Sequence, residues 1–438
     1  MKSLVIFTLA LLTLVFKAEA QNPAPADSQK SSVLIMNATA HIGNGTVIPN
    51  SAIGFENGKL TLIADARLIR LDKNAYDHVI DAGGMHAYPG LIACNTILGL
   101  AEIDLVRATL DHREVGEMNP HIRSLIAYNT DSRLIPTVRN NGVMLAQVVP
   151  QGGRISGQSS VLMLDGWNWE DAAYKTDLGI HLNWPRMYVA QSGDADKEKE
   201  REENQRKKMT RDLEELKKFF DEARGYFLEK KPAEVNQRFE AMKGLFSGEK
   251  KLFVHCNYVK EIRAAAEFAS TYRLKMVLVG GADSWRVTDF LKEKNIPVVI
   301  TSTHALPGRE DDDIDLPYRL PYLLKKAGVD FAISTDGSWQ VRNLAFHAGT
   351  ASAYGLTKEE ALESISLSPA KILGIDALTG SLETGKDATL IISEGDILDM
   401  STHKVVKAFI QGRELNLDDV QKQLNEKYLQ KYGLEKAK

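Results

Sequence analysis

Residues 88–100 constrain the fold more than any other stretch of the chain. Tyr88, Pro89 and Gly90 are a turn signal that delivers the chain into Leu91, Ile92, Ala93 and Cys94, a near-continuous apolar run closed by polar Asn95 and Thr96. Such a run suits a strand covered on both faces, as in a parallel sheet flanked by helices. The pattern returns at residues 143–149, 252–255, 276–279, 297–300 and 331–334, with helical segments between them. That is the rhythm of a parallel α/β fold, and the number and span of the strands predict a (β/α)8 TIM-like barrel.

The two ends of the chain follow another rhythm. Short strands at residues 33–36, 51–55 and 59–63 are separated by glycine-bearing turns, among them Asn57 and Gly58, and similar strands recur at 380–392 and 405–410. Residues 194–231 are dense in Lys, Glu and Arg, with an apolar stripe at Leu213, Leu216, Phe220, Ala223 and Phe227. A long amphipathic helix with a solvated charged face accounts for this stretch, and a lid or docking helix is the alternative.

Residues 1–20 read as a secretory signal peptide, with Lys2 before an apolar run at 4–16 and small residues Ala18 and Ala20 before Gln21. The run is shorter than the ~20 residues that span a bilayer. The expectation is an exported chain with no membrane span after cleavage, periplasmic or extracellular in a Gram-negative bacterium, with residues 21–31 as a polar tether. At 44% hydrophobic and 26% charged, with a net charge of −4, the chain can bury a large core and shows no basic stripe. Nucleic acid is therefore not an expected partner. Cys94 and Cys256 fall on separate strands of the expected barrel, and no disulfide between them is expected.

Over residues 32–415 the chain resembles the amidohydrolase superfamily. Residues 327–337, 348–351, 367–374 and 385–388 look like imidazolonepropionase-like members. The resemblance implies a β-sandwich built from residues 32–86 plus 378–415. It implies a barrel over 87–377, interrupted by the charged insertion 194–231, and a C-terminal helix over 416–438. In that family the first strand carries a His-x-His pair that binds a catalytic metal, and here the two positions are Asn95 and Ile97. His255 matches on strand five, Gly280 stands where many relatives place a histidine on strand six, and Asp336 matches the strand-eight aspartate.

By this resemblance Asp336 touches the metal and takes a proton from the attacking water. His255 binds the metal or polarises the scissile carbonyl, and the cofactor is one divalent metal, zinc, iron or manganese. Catalytic zinc usually has three protein ligands, and His255 with Asp336 supplies two. Three readings stay open: a third ligand from His304, His347 or Asn95; metal-free catalysis by His255 and Asp336; or loss of hydrolysis. Asn95, His304 and Arg154 form the candidate substrate-binding set. Arg154 lies in the glycine-rich loop 151–157, read either as an anion cradle or as a tight turn around a structural arginine. The implied activity is hydrolysis of non-peptide C–N bonds in cyclic amides or related small molecules. The alternative is a silent barrel that binds a ligand, or partners a second copy or a catalytically complete paralogous subunit.

Overall fold

The computed structural model describes residues 24–187, 195–229, 232 and 234–434. The expected signal peptide lies outside the described residues, as do residues 21–23 of the tether, 194 and 230–231 of the insertion, and 435–438 of the last helix. Two sheets organise the chain. One joins its ends: β1 (Val33–His41), β2 (Val47–Glu56), β3 (Lys59–Asp65), β4 (His78–Asp81) and β5 (His86–Pro89) are hydrogen-bonded with the late strands. The second sheet starts immediately after Gly90 with β6 (Leu91–Thr96).

The second sheet is the barrel. β7 (Val143–Val148), β8 (Ile155–Met163), β9 (Ala173–Asn183), β10 (Lys251–Cys256), β11 (Met276–Gly280), β12 (Val298–Ile300) and β13 (Phe331–Ile333) follow β6 in spatial order as in sequence. Seven of the strands run one way, and β8 runs antiparallel to both neighbours. The departure from an all-parallel barrel has a simple cause. Only residues 149–154 connect β7 to β8, whereas a parallel crossover needs about a dozen residues or more.

Edge strands β6 and β13 close the barrel through side chains. The Ser334 hydroxyl donates to the Cys94 carbonyl. The Thr96 hydroxyl donates to Gly337 O at 2.6 Å, and Ile97 N–H donates to the same oxygen at 3.2 Å.

The late strands β14 (Leu390–Ser393), β15 (Val405–Ile410) and β16 (Arg413–Glu414) complete the first sheet, β14 lying antiparallel to β5 with Ile391 opposite Tyr88. The expected sandwich is thus one continuous hydrogen-bonded sheet, with Phe55 and Phe409 meeting edge to face at 5.1 Å in its core. The tether is pinned rather than loose: Gln29 donates to Phe55 O and accepts from Gly58 N–H, and Ala26 N–H donates to Asp165.

The charged insertion is helix α1 (Ala195–Leu228). Leu216, Phe220 and Ala223 are fully buried, as the apolar stripe requires. Phe220 packs against Phe268 and Tyr272 at the end of α2 (Val259–Thr271), with ring centroids 4.9 and 5.3 Å apart. Burial of three such side chains stabilises the attachment by roughly 1.5–3 kcal/mol for each large one. No helix among the described residues is long and apolar enough to cross a membrane.

Candidate functional site

The ends of β6 and β13 meet at the C-terminal rim of the barrel. Asn95 has φ of +48°, a left-handed conformation that asparagine tolerates better than most residues. The pairing of β6 with β7 is irregular between Ala93 and Thr96 as a result. Next to Thr96, across the Gly337 carbonyl, stands Asp336. Its side chain is exposed and makes no hydrogen bond or ion pair with another described residue. The surrounding rim still desolvates the carboxyl enough to hold it above the ordinary carboxylate range.

His255 does not stand alone. A chain of polar groups crosses five consecutive strands to reach it. Asn95 N–H on β6 donates to Gln147 Oε1 on β7 at 3.2 Å, and Gln147 Nε2 donates to Ser159 Oγ on β8 at 3.0 Å. Ser159 Oγ lies 2.8 Å from His181 Nε2 on β9, and His181 Nδ1 lies 2.9 Å from His255 Nε2 on β10. Gln147, Ser159 and His181 are 0% exposed, while His255 is half-buried. Burial holds His181 well below the ordinary imidazole value and pushes His255 down to about 4, so both are neutral at pH 7. The Phe253 ring stacks on His181 at 4.7 Å. Gly179 leaves room for it, since a Cβ there would stand 2.4 Å from the Phe253 ring.

The remaining candidates have other partners. Arg154 donates to Asn183 O at 2.9 Å and pairs with Asp212 of α1 at 2.5 Å, so its guanidinium is engaged by the protein. Exposed His304 hydrogen-bonds Thr350 at 2.6 Å and stacks at 4.0 Å on His347. His347 is buried on α3 (Leu344–Ala353), where its Nδ1 faces the backbone N–H of Thr303 at 3.3 Å. Cys94 and Cys256 are buried and free, and burial pushes the Cys94 thiol up to about 12, which removes it as a nucleophile.

The amidohydrolase family model matches residues 318–422. Amidohydrolase tasK of Hapsidospora irregularis is 30% identical over 119 residues, which are 24% of this chain and 11% of that protein's length. Among solved structures, an amidohydrolase from Thermotoga maritima MSB8 superposes with a TM-score of 0.76 at 22% identity, covering 88% of this chain and 99% of that one. Residues 318–422 thus match the amidohydrolase superfamily in sequence, and most of the chain has the fold of a solved member. Molinate hydrolase (TM-score 0.56, 15% identity, 89% of this chain and 96% of that one) shares the fold. So does A. niger ochratoxinase (TM-score 0.52, 15% identity, 89% and 96%).

Members of this superfamily are generally metal-dependent, and the residues here do not fit that metal. Ile97 brings no donor atom to the second strand-one position and is buried there. Gly280 has φ of +98°, and a Cβ on it would stand 2.5 Å from Asn257 Oδ1, so Asn257 occupies the space a strand-six side chain would need. The His255 Nε2 is taken by His181. No group of three or more His, Cys, Asp or Glu side chains that could hold a metal occurs among the described residues. His304 and His347 are engaged by Thr350 and Thr303.

Reading the sequence missed Gln147, Ser159 and His181. His181 did carry a signal, since it stands between Ile180 and Leu182 in an apolar strand, where a buried imidazole needs partners.

Proposed function

We propose that the chain hydrolyses non-peptide C–N bonds of cyclic amides or related small molecules without the superfamily's metal. Asp336 acts as general base and His255 polarises the carbonyl. The observation that carries this reading is Asp336 itself: an exposed carboxylate with no protein partner among the described residues, on the strand-eight rim beside Asn95 and Thr96. An acceptor left unengaged there is free to take a proton from water. Asp336 removes a proton as the water oxygen bonds to the carbonyl carbon. The C–N bond then breaks, and the same proton passes from Asp336 to the departing nitrogen.

The test is turnover of a panel of lactams, cyclic ureas and N-acyl compounds by the purified chain, followed by chromatography of acid and amine products. Turnover that Asp336→Asn abolishes supports the reading, and turnover indifferent to that substitution overturns it. A second reading rests on Ile97 and Gly280, which shut two metal-ligand positions: a barrel that binds such a ligand, or supports a complete partner subunit, without hydrolysing anything. Ligand binding by calorimetry with no product formed favours that reading. The proposal includes export, which the signal-like pattern of residues 1–20 supports, and the test is fractionation of the native host, with an N-terminus at Gln21 expected.

A further inference from the structure

We propose that the buried chain from Asn95 to His181 fixes His255 as a neutral hydrogen-bond donor with its proton on Nδ1. His255 then offers an N–H to a substrate carbonyl, with Gln147, Ser159 and His181 as its positioning residues. Donors and acceptors can be assigned in turn from the end whose direction is not negotiable. The backbone N–H of Asn95 can only donate, so the Gln147 atom it meets at 3.2 Å is the amide oxygen. The Gln147 nitrogen is then a donor, and it faces Ser159 Oγ at 3.0 Å.

Ser159 accepts that hydrogen bond and has one proton of its own to place. Among the described residues its other partner is His181 Nε2, at 2.8 Å. Donation from Ser159 makes Nε2 of His181 an acceptor, which places the proton of the neutral ring on Nδ1. That proton points along the 2.9 Å contact to His255 Nε2, which must in turn accept. The neutral His255 ring then carries its own proton on Nδ1. Reversing the direction would bring two N–H donors to Ser159 and leave its hydroxyl proton without an acceptor at a site 0% exposed. The cost of an unsatisfied buried donor favours the forward direction by about five- to a hundred-fold.

Two consequences bear on the chemistry. With Nε2 accepting from His181 and Nδ1 protonated, His255 has no lone pair free for a metal, in agreement with the blocked positions at Ile97 and Gly280. Its half-buried ring instead presents a donor of fixed direction at the C-terminal end of β10, suited to an oxygen on which negative charge develops. This use of the donor rests on the hydrolase reading, whereas the tautomer itself does not.

The experiment is long-range proton–nitrogen NMR of the full chain labelled with 15N-histidine at pH 7, with His181→Asn and His255→Gln assigning the two rings. Both rings are expected neutral, each protonated on Nδ1, and added zinc is expected to leave them in place. Ser159→Ala removes the donor to His181, and the His255 signals should then shift towards a mixture of tautomers. An Nε2-protonated or doubly protonated His255, a zinc-induced shift at that ring, or an unchanged His255 tautomer in Ser159→Ala overturns the proposal. Should Ser159→Ala not fold, the wild-type tautomer decides alone. Because no substrate is involved, this outcome is independent of whether turnover is found.

Discussion

Arg154 Nη2 lies 2.5 Å from Asp212 Oδ2, which ties the turn between β7 and β8 to the middle of helix α1. The pair is mostly buried, with 17% and 11% of the two side chains exposed. Removing Arg154 would leave the mostly buried Asp212 with only the longer 3.6 Å contact to Arg211, a cost of about 1–3 kcal/mol. Arg154→Ala is therefore expected to lower the urea midpoint and to open α1 to protease before the barrel. If Arg154 serves a substrate instead, stability holds and only KM rises.

Acid should weaken the fold through its buried imidazoles. Burial keeps His181 neutral, and holds His255 near about 4 and His347 near about 3. An unfolded histidine titrates near ~6.5. Below that pH the unfolded chain binds protons that the folded chain refuses, so stability falls as pH drops from about 6.5 towards the folded values. The slope is about 1.4 kcal/mol per pH unit for each such histidine. Denaturant midpoints at pH 7, 6 and 5 would show it. His347→Gln, which keeps an acceptor for Thr303, should remove one histidine's share, and a flat profile in the wild type would rule out this source of acid sensitivity.

The barrel was legible because its strands are apolar on both faces, and the signal survives without knowledge of neighbours. β8 was not. Ser156 falls in the glycine-rich stretch 151–157 read as a loop, and Gln158, Ser159 and Ser160 continue it without an apolar pattern, yet all four are buried. Each is satisfied from another strand or loop. Asn183 donates to Ser156, Lys250 to Gln158, Gln147 to Ser159, and the backbone N–H of Asp177 to Ser160. Such partners come from strand register, which a single chain's hydrophobic pattern does not encode. The strand-end candidates His255 and Asp336 were found because strand and position suffice to place them. Their surroundings, above all His181, depended on contacts across the barrel.

Gly280 provides a direct check on the lost metal site. If the glycine were only a missing ligand, Gly280→His would restore a donor. Its φ of +98° and the 2.5 Å that would separate a Cβ at this position from Asn257 Oδ1 instead predict strain and overpacking. The cost is about 2 kcal/mol or more. Thermal unfolding should drop, and plasma mass spectrometry should find no zinc gained over wild type. Stoichiometric zinc in a variant of undiminished stability would show that the strand-six position is open after all.

Asp336 should set the acid limb of catalysis. A general base works only when ionised, and partial desolvation by the surrounding rim raises this exposed carboxyl above its ordinary value, so the rate should fall as pH drops through a pKa above the usual ~4. His255, neutral down to about 4, adds no loss of its own above that point. Asp336→Asn keeps the shape of the side chain and breaks no hydrogen bond or ion pair with another described residue. It should leave the unfolding midpoint in place while lowering kcat by about 10²- to 10⁴-fold. The residual activity of that variant should also lose the acid limb. A pH–rate profile of Asp336→Asn that keeps the same limb would assign the base to another group and remove Asp336 from the reaction.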